Sequence, residues 1–205
     1  EYRVENLFVE LFEPQSQRVR ATLRSPVSHM PLRFQAEGQE FGPDDLVELS
    51  SVDAEVFDGL PLVPARFEAT KLEVALAKGV FSTPDPVVLS AQGARVSGVD
   101  FHLDQQAESL RFGRQGEIVF DQSEEMATTL AATGDGELLL ERTKEGDLRV
   151  LVERGAKLEV GSGLAVIAER IEFLGREGSS GEFRPKTALA SGGVIFDGWD
   201  GRFEG

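Results

Sequence analysis

Cysteine is absent from the 205-residue chain, which excludes disulfides, thiolate nucleophiles and cysteine metal sites. Its absence leaves the compartment open, since cytosolic and periplasmic proteins both manage without it. Positive charge is scarce: 21 Lys and Arg stand against 36 Asp and Glu, a formal net charge of −15. Phosphate contacts need a basic footprint, so the composition argues against nucleic-acid binding and against a polybasic anchor to anionic lipid. No apolar run approaches the roughly 18–20 residues of a membrane-spanning helix. No signal peptide is present, and the chain opens inside an alternating pattern at Glu1-Tyr2-Arg3-Val4, as a trimmed N-terminus would. Polar aromatics are almost missing, with one Tyr and one Trp against 14 Phe.

What is present is a soluble, folded composition, 40% hydrophobic and 28% charged, long enough for one long β domain or two small modules. Its dominant pattern has a period of two. Leu72, Val74 and Leu76 alternate with Lys71, Glu73 and Ala75. Val99, Phe101 and Leu103 alternate with Asp100, His102 and Asp104. Leu110 and Phe112 flank Arg111, Leu148, Val150 and Val152 alternate with Arg149, Leu151 and Glu153, and Ile171 and Phe173 flank Glu172. Successive strand side chains point to opposite faces, so each set lays apolar groups on one sheet face. Between residues 44 and 57, Val47 and Leu49 and then Val52, Ala54 and Val56 favour strand, with a shift of face between the two groups.

Turn signals punctuate these runs: Asp58-Gly59, Thr83-Pro84-Asp85-Pro86, Gln115-Gly116, Gly134-Asp135-Gly136, Glu145-Gly146-Asp147, Gly161-Ser162-Gly163 and Gly178-Ser179-Ser180-Gly181. Many short strands at such spacing predict a sandwich, barrel, jelly roll or solenoid. Residues 123–133 break the pattern. Ser123 is placed as an N-cap and Gly134 as a C-terminal stop, which predicts a short helix or linker there. It would divide the chain into β modules at 1–122 and 134–205. The two echo each other at Ala91–Gly98 against Ala168–Gly175 and at Gly116–Phe120 against Gly192–Phe196, as a duplicated unit would.

Chemical motifs are few. There is no phosphate loop, nucleophile elbow or zinc-protease helix. His29 and His102 are far apart in sequence, and His102 falls on the polar side of its strand. Asp197-Gly198-Trp199-Asp200-Gly201 could grip a sugar or calcium, but it reads better as a tight turn with its Trp against the core. No catalytic residue, metal or cofactor is expected.

One order of features points further. An alternating strand at Phe67–Val74 is followed by Gly79-Val80-Phe81-Ser82-Thr83-Pro84-Asp85-Pro86-Val87-Val88-Leu89. Then come Gly98-Val99-Asp100-Phe101-His102-Leu103-Asp104 and Leu110-Arg111-Phe112, running into Gly116-Glu117-Ile118-Val119-Phe120. From about Pro64 to Phe120 this resembles the LptC family of lipopolysaccharide-transport proteins. Residues 134–204, through Ala168-Glu169-Arg170-Ile171-Glu172-Phe173, are similar to the LptA/OstA-type repeat. The chain departs from the family at Ser97-Gly98-Val99, where a glycine pair is common. It also departs in lacking the LptC membrane anchor and in carrying a second module.

The resemblance implies an elongated antiparallel β-jelly-roll, or β-taco, of two facing sheets, with two modules in series. It implies a periplasmic bridge or carrier that shields the acyl chains of lipopolysaccharide or a related envelope glycolipid, anchored to the inner membrane by a segment outside this sequence. The apolar trough would be lined by Leu72, Val74, Leu76, Val99, Phe101, Leu103, Leu110, Phe112, Ile118, Phe120, Leu148, Val150, Val152, Ile171 and Phe173. Other lipopolysaccharide-transport proteins would dock on edge strands at Leu7, Val9 and Leu11 and at Val194 and Phe196. Two alternatives stand beside it: a ligand-free structural or adhesin-like β scaffold with a closed core, and a carbohydrate-active enzyme working with paired carboxylates.

Overall fold

Alternation carries through into strands along nearly the whole chain. The computed structural model describes residues 2–12, 18–30, 42, 45–58, 62, 64–91, 93–120, 127–161, 163–177, 183–198 and 201–204. Every regular element among them is a strand. In chain order these are β1 (Tyr2–Phe12), β2 (Val19–Met30), β3 (Leu46–Val56), β4 (Ala65–Ala75), β5 (Val80–Thr83), β6 (Val87–Ala91), β7 (Ala94–Asp104) and β8 (Ser109–Phe120). There follow β9 (Thr128–Ala132), β10 (Glu137–Arg142), β11 (Leu148–Val160), β12 (Leu164–Glu177), β13 (Phe183–Ser191), β14 (Ile195–Gly198) and β15 (Gly201–Glu204). All belong to one 15-stranded antiparallel sheet, the all-β class expected.

The short strands share positions in the sheet. Both β5 and β6 lie between β4 and β7, one on each half of those long strands. In the same way β10 and β9 lie between β8 and β11, while β13 and β14 share the far side of β12. A line of irregularities therefore crosses the sheet at mid-strand. On it lie the left-handed residues Asn6, Ser51, Asp100, Gln115 and Arg154. The same line takes in the breaks at Thr83–Val87, Ala132–Glu137 and Ser191–Ile195. Register shifts fall there too, between Ser97 and Val99 and between Glu153 and Ala156.

This line is a crease. Crossing it, several strands change which parity of residue is buried. In β3, Val47 and Leu49 give way to Val52, Ala54 and Val56. In β4, Ala65, Phe67 and Ala69 give way to Leu72 and Val74. The register of β3 with β4 is unbroken across the change, where Ser51 holds a positive φ. Where β7 pairs with β8 and β11 with β12, an extra residue on one strand at the register shift re-aims the side chains beyond it, and both halves keep an apolar inner face while the sheet bends. The first leaf contains the 52–56, 65–69, 94–98, 117–120, 156–160 and 164–168 segments with β6, β9 and β14. The second contains 46–50, 71–75, 101–104, 109–112, 148–153 and 170–177 with β5, β10 and β13.

Ring contacts show that the leaves face each other. Phe120 is in register, through Thr128 and Val160, with Leu164 at the start of β12. In a flat sheet Phe173 would lie roughly 30 Å further along that strand, at about 3.3 Å per residue. Its ring instead stacks on Phe120 with centroids 6.3 Å apart. Phe67 of the first leaf meets Phe101 of the second at 5.2 Å, and Phe101 meets Phe112 at 5.6 Å.

Three expectations need correction. Residues 128–132 are not helix or linker: they form β9, hydrogen-bonded to β8 and β11, so the sheet runs through this point without a break. Ser123 itself lies outside the described residues. The alanine-led echo does not join equivalent places, because Ala91 and Ala94 close the β6–β7 hairpin whereas Ala168 and Glu169 sit at the crease of β12. Gln115-Gly116 is no reversal of the chain either. It lies inside β8, where Gln115 is one of the crease residues.

Candidate functional site

The inner faces of the leaves form one continuous apolar interior. Of the residues expected to line it, Leu72, Val74, Phe101, Leu103, Leu110, Phe112, Ile118, Phe120, Leu148, Val150, Val152, Ile171 and Phe173 are all buried there together. Leu76 packs against them, partly buried. Val99 is displaced. The register shift and the positive φ of Asp100 turn it out of the alternation, and Gly98 takes the inward position instead. A Cβ on Gly98 would come within 2.7 Å of the Phe112 ring, so the ring occupies space that only glycine leaves free.

Coverage of this interior differs from one end to the other. In the middle, Phe67, Phe81, Phe101, Phe112 and Phe120 are completely buried. At the β12–β14 end, side chains on the same inner face meet solvent. Leu164 and Phe196 are each 43% exposed and Val160 is 37% exposed. Their orientation follows from register: Val160 pairs with Leu164, and Phe196 pairs with the buried Val166. Opposite them, β13 presents Ala188 and Ala190 beside Phe173 and Ile171, and such small residues leave the end uncovered. Phe196 was expected at a docking edge rather than on the apolar interior. Val160 and Leu164 were not anticipated, because the intervening Gly161-Ser162-Gly163 reads only as a turn.

The sheet ends are at β1 on one side and at β13 and β15 on the other. Leu7, Val9 and Leu11 of β1 face inward against the core, partly buried, and among the described residues β1 is the outermost strand on its side. The C-terminal edge is one strand further out than expected. β15 pairs with β14, so Phe196 lies on an inner strand, and Val194 packs on the core just before it. The Asp197–Gly201 motif spans the β14–β15 hairpin, with Gly198 opposite Gly201; Trp199 and Asp200 lie outside the described residues.

Outside, the leaves are charged. Arg149 donates to Glu172 at 2.8 Å and to Glu141 at 2.6 Å, and Arg170 donates to Glu172 at 2.8 Å. The Arg149 guanidinium holds the Glu172 carboxyl below its ordinary range, against the opposing effect of burial. Asp147 is lowered likewise by hydrogen bonds from Lys186 and Arg176. At the crease Arg114 grips Asp100 at 2.6 Å and lowers it too. Each carboxylate is paired with a cation, and Glu172, Arg149 and Asp147 are half-buried. His29 and His102 fall on one cross-strand row, separated by Glu48, Glu73 and Ser82. Among the described residues no group of three potential ligands comes close enough for a metal.

Two buried polar side-chain atoms among the described residues lack a hydrogen-bond partner, Ser28 Oγ and Arg20 Nε. Ser28 faces inward between Val4 and Leu49.

No protein-family model and no curated protein matches the chain.

Proposed function

We propose that the protein is a non-catalytic lipid-shielding module of the bacterial envelope, holding the acyl chains of lipopolysaccharide or a related glycolipid between its leaves. The observation that carries this reading is the uncovered inner face at Val160, Leu164 and Phe196. An acyl chain laid against it leaves water at about 25 cal/mol per Å² of apolar surface removed. The 14 Phe suit an interior with few polar handles. The net charge of −15 opposes anionic head groups, but screening beyond about 8–10 Å at ordinary salt confines that repulsion to close range. The outermost strands among the described residues, β1, β13 and β15, suit partners of the same kind, added strand to strand. The resemblance to lipopolysaccharide-transport proteins supports a periplasmic setting.

A second reading, a ligand-free structural module, is favoured by the complete burial of the mid-section phenylalanines. Native mass spectrometry with added lipid A separates the two. Saturable adducts that Leu164→Asp and Phe196→Asp abolish, in proteins that still melt cooperatively, support the lipid reading. No adducts over a wide lipid range support the scaffold. Leu164 and Phe196 are the right targets because a carboxylate at Phe101, fully buried, would destroy the fold whatever the function.

A further inference from the structure

The mouth of the folded sheet, opposite the crease, is closed over the N-terminal half of the interior by contacts that join the two leaves. Arg20, at the start of β2, belongs to the rim of the first leaf. So does Asp58, whose amide donates to the Arg20 carbonyl at 3.2 Å. Gln105, just after β7, belongs to the rim of the second, where its amide donates to the Gly79 carbonyl at 3.0 Å. Across the gap Arg20 Nη2 donates to the Gln105 carbonyl at 3.2 Å. Gln105 Nε2 donates in return to the Asp58 carbonyl at 3.3 Å. Gln105 is only 3% exposed, and its side chain lies so close to Gly79 that a Cβ there would meet Gln105 Oε1 at 2.9 Å. Leu62 joins the core beneath.

These contacts are polar and long, and among the described residues Arg20 Nε is buried with no partner. Strands paired within a leaf share a ladder of bonds, whereas at this rim the side chains of Arg20 and Gln105 bridge the leaves, above the packing of Phe67 on Phe101 that also joins them. A junction of this kind costs little to break and reforms in one geometry. We infer that Arg20, Asp58 and Gln105 form a clasp that keeps the N-terminal half of the mouth shut, and that its release admits an acyl chain of an amphiphile between the leaves. The inference rests on the lipid-shielding reading and adds where and how the interior opens.

The chain has no cysteine, so Glu55→Cys and Ala107→Cys give one spin-label site on each rim. Their separation is measured by pulsed electron resonance in the parent and in Arg20→Met/Gln105→Met, whose side chains keep the original bulk. The rate of lipid A adduct formation is followed on unlabelled proteins by native mass spectrometry. With the clasp removed, the distance distribution should shift to longer values, and lipid A should load about five- to tenfold faster. An unchanged distribution overturns the clasp. A longer distance with an unchanged loading rate also overturns it as a control of admission, while leaving the lipid reading intact. Failure of both proteins to take up lipid A removes the lipid-shielding reading itself, and the inference with it. Arg20→Met alone gives the same discrimination should the double variant lose its cooperative melt.

Discussion

At the scale of single residues, the fold depends on a few positions where the crease makes unusual demands. Gly98 supports the Phe112 ring at a distance no Cβ tolerates. Gly98→Ala should therefore lower stability by about 1–3 kcal/mol, as overpacked sites do, measured by urea unfolding. Ser51 makes the opposite case. It is exposed and holds φ 53°, a conformation that costs an L-residue roughly 1–2 kcal/mol. Ser51→Gly should leave stability unchanged or raise it by up to about 1 kcal/mol, and Ser51→Val should lower it by about 1–3 kcal/mol. Equal effects of Gly and Val at Ser51 would remove strain as the reason for the kink. Glu172 sets a pH dependence. Its carboxyl is lowered from the ordinary 4.5, chiefly by Arg149. A lowered carboxylate contributes stability that is present above the unfolded pKa and lost as pH falls through the folded one. Between neutral pH and about pH 3, the urea midpoint of the parent should therefore fall further than that of Glu172→Gln. Parallel curves would contradict the assignment.

At the scale of elements, the claim is that two halves of each long strand lie in different leaves. Phe67 and Phe101 test it, because their strand segments fall on opposite sides of the crease. A double-mutant cycle with Phe67→Leu and Phe101→Leu should show a coupling of about 0.5–1.5 kcal/mol, and zero coupling would mean the leaves do not meet there. The strands themselves were legible in the sequence, since a period of two needs only local residues. The change of face within β3 was legible for the same reason. The crease was not. Thr83-Pro84-Asp85-Pro86 and Gly134-Asp135-Gly136 carry the same residue types as Glu145-Gly146-Asp147, yet the first two jog a strand along its own axis and only the last reverses the chain. Glycine, proline and aspartate report that a backbone must depart from extended geometry, not which way it then goes. Thr128–Ala132 misled through its alanines, which suit a helix until two neighbouring strands bid for their backbone groups.

At the scale of the whole molecule, the inner face was readable and its coverage was not. Alternation identifies Leu148, Val150 and Val152 as facing one way, but whether that side meets another leaf, a ligand or water depends on contacts remote in sequence. Phe101 and Phe112 lie in a closed middle while Leu164 and Phe196 meet solvent at the β12–β14 end, a difference no local pattern carries. The Arg20–Gln105 contact joins residues far apart in the chain, beyond any local pattern. Taken together, the molecule is a single sheet folded along a crease, sealed in the middle, clasped along part of its mouth and uncovered at the β12–β14 end.

Photo-crosslinking addresses the lipid-shielding role most directly. A photoreactive phenylalanine analogue is placed in turn at Leu164 and Phe196, on the inner face, and at Ile167 and Leu189, exposed on the outer face. The purified protein is then irradiated with lipid A. Crosslinks from Leu164 and Phe196, with none from Ile167 and Leu189, are the predicted result. Equal labelling inside and out, or labelling from the outer positions alone, would contradict a lipid site between the leaves.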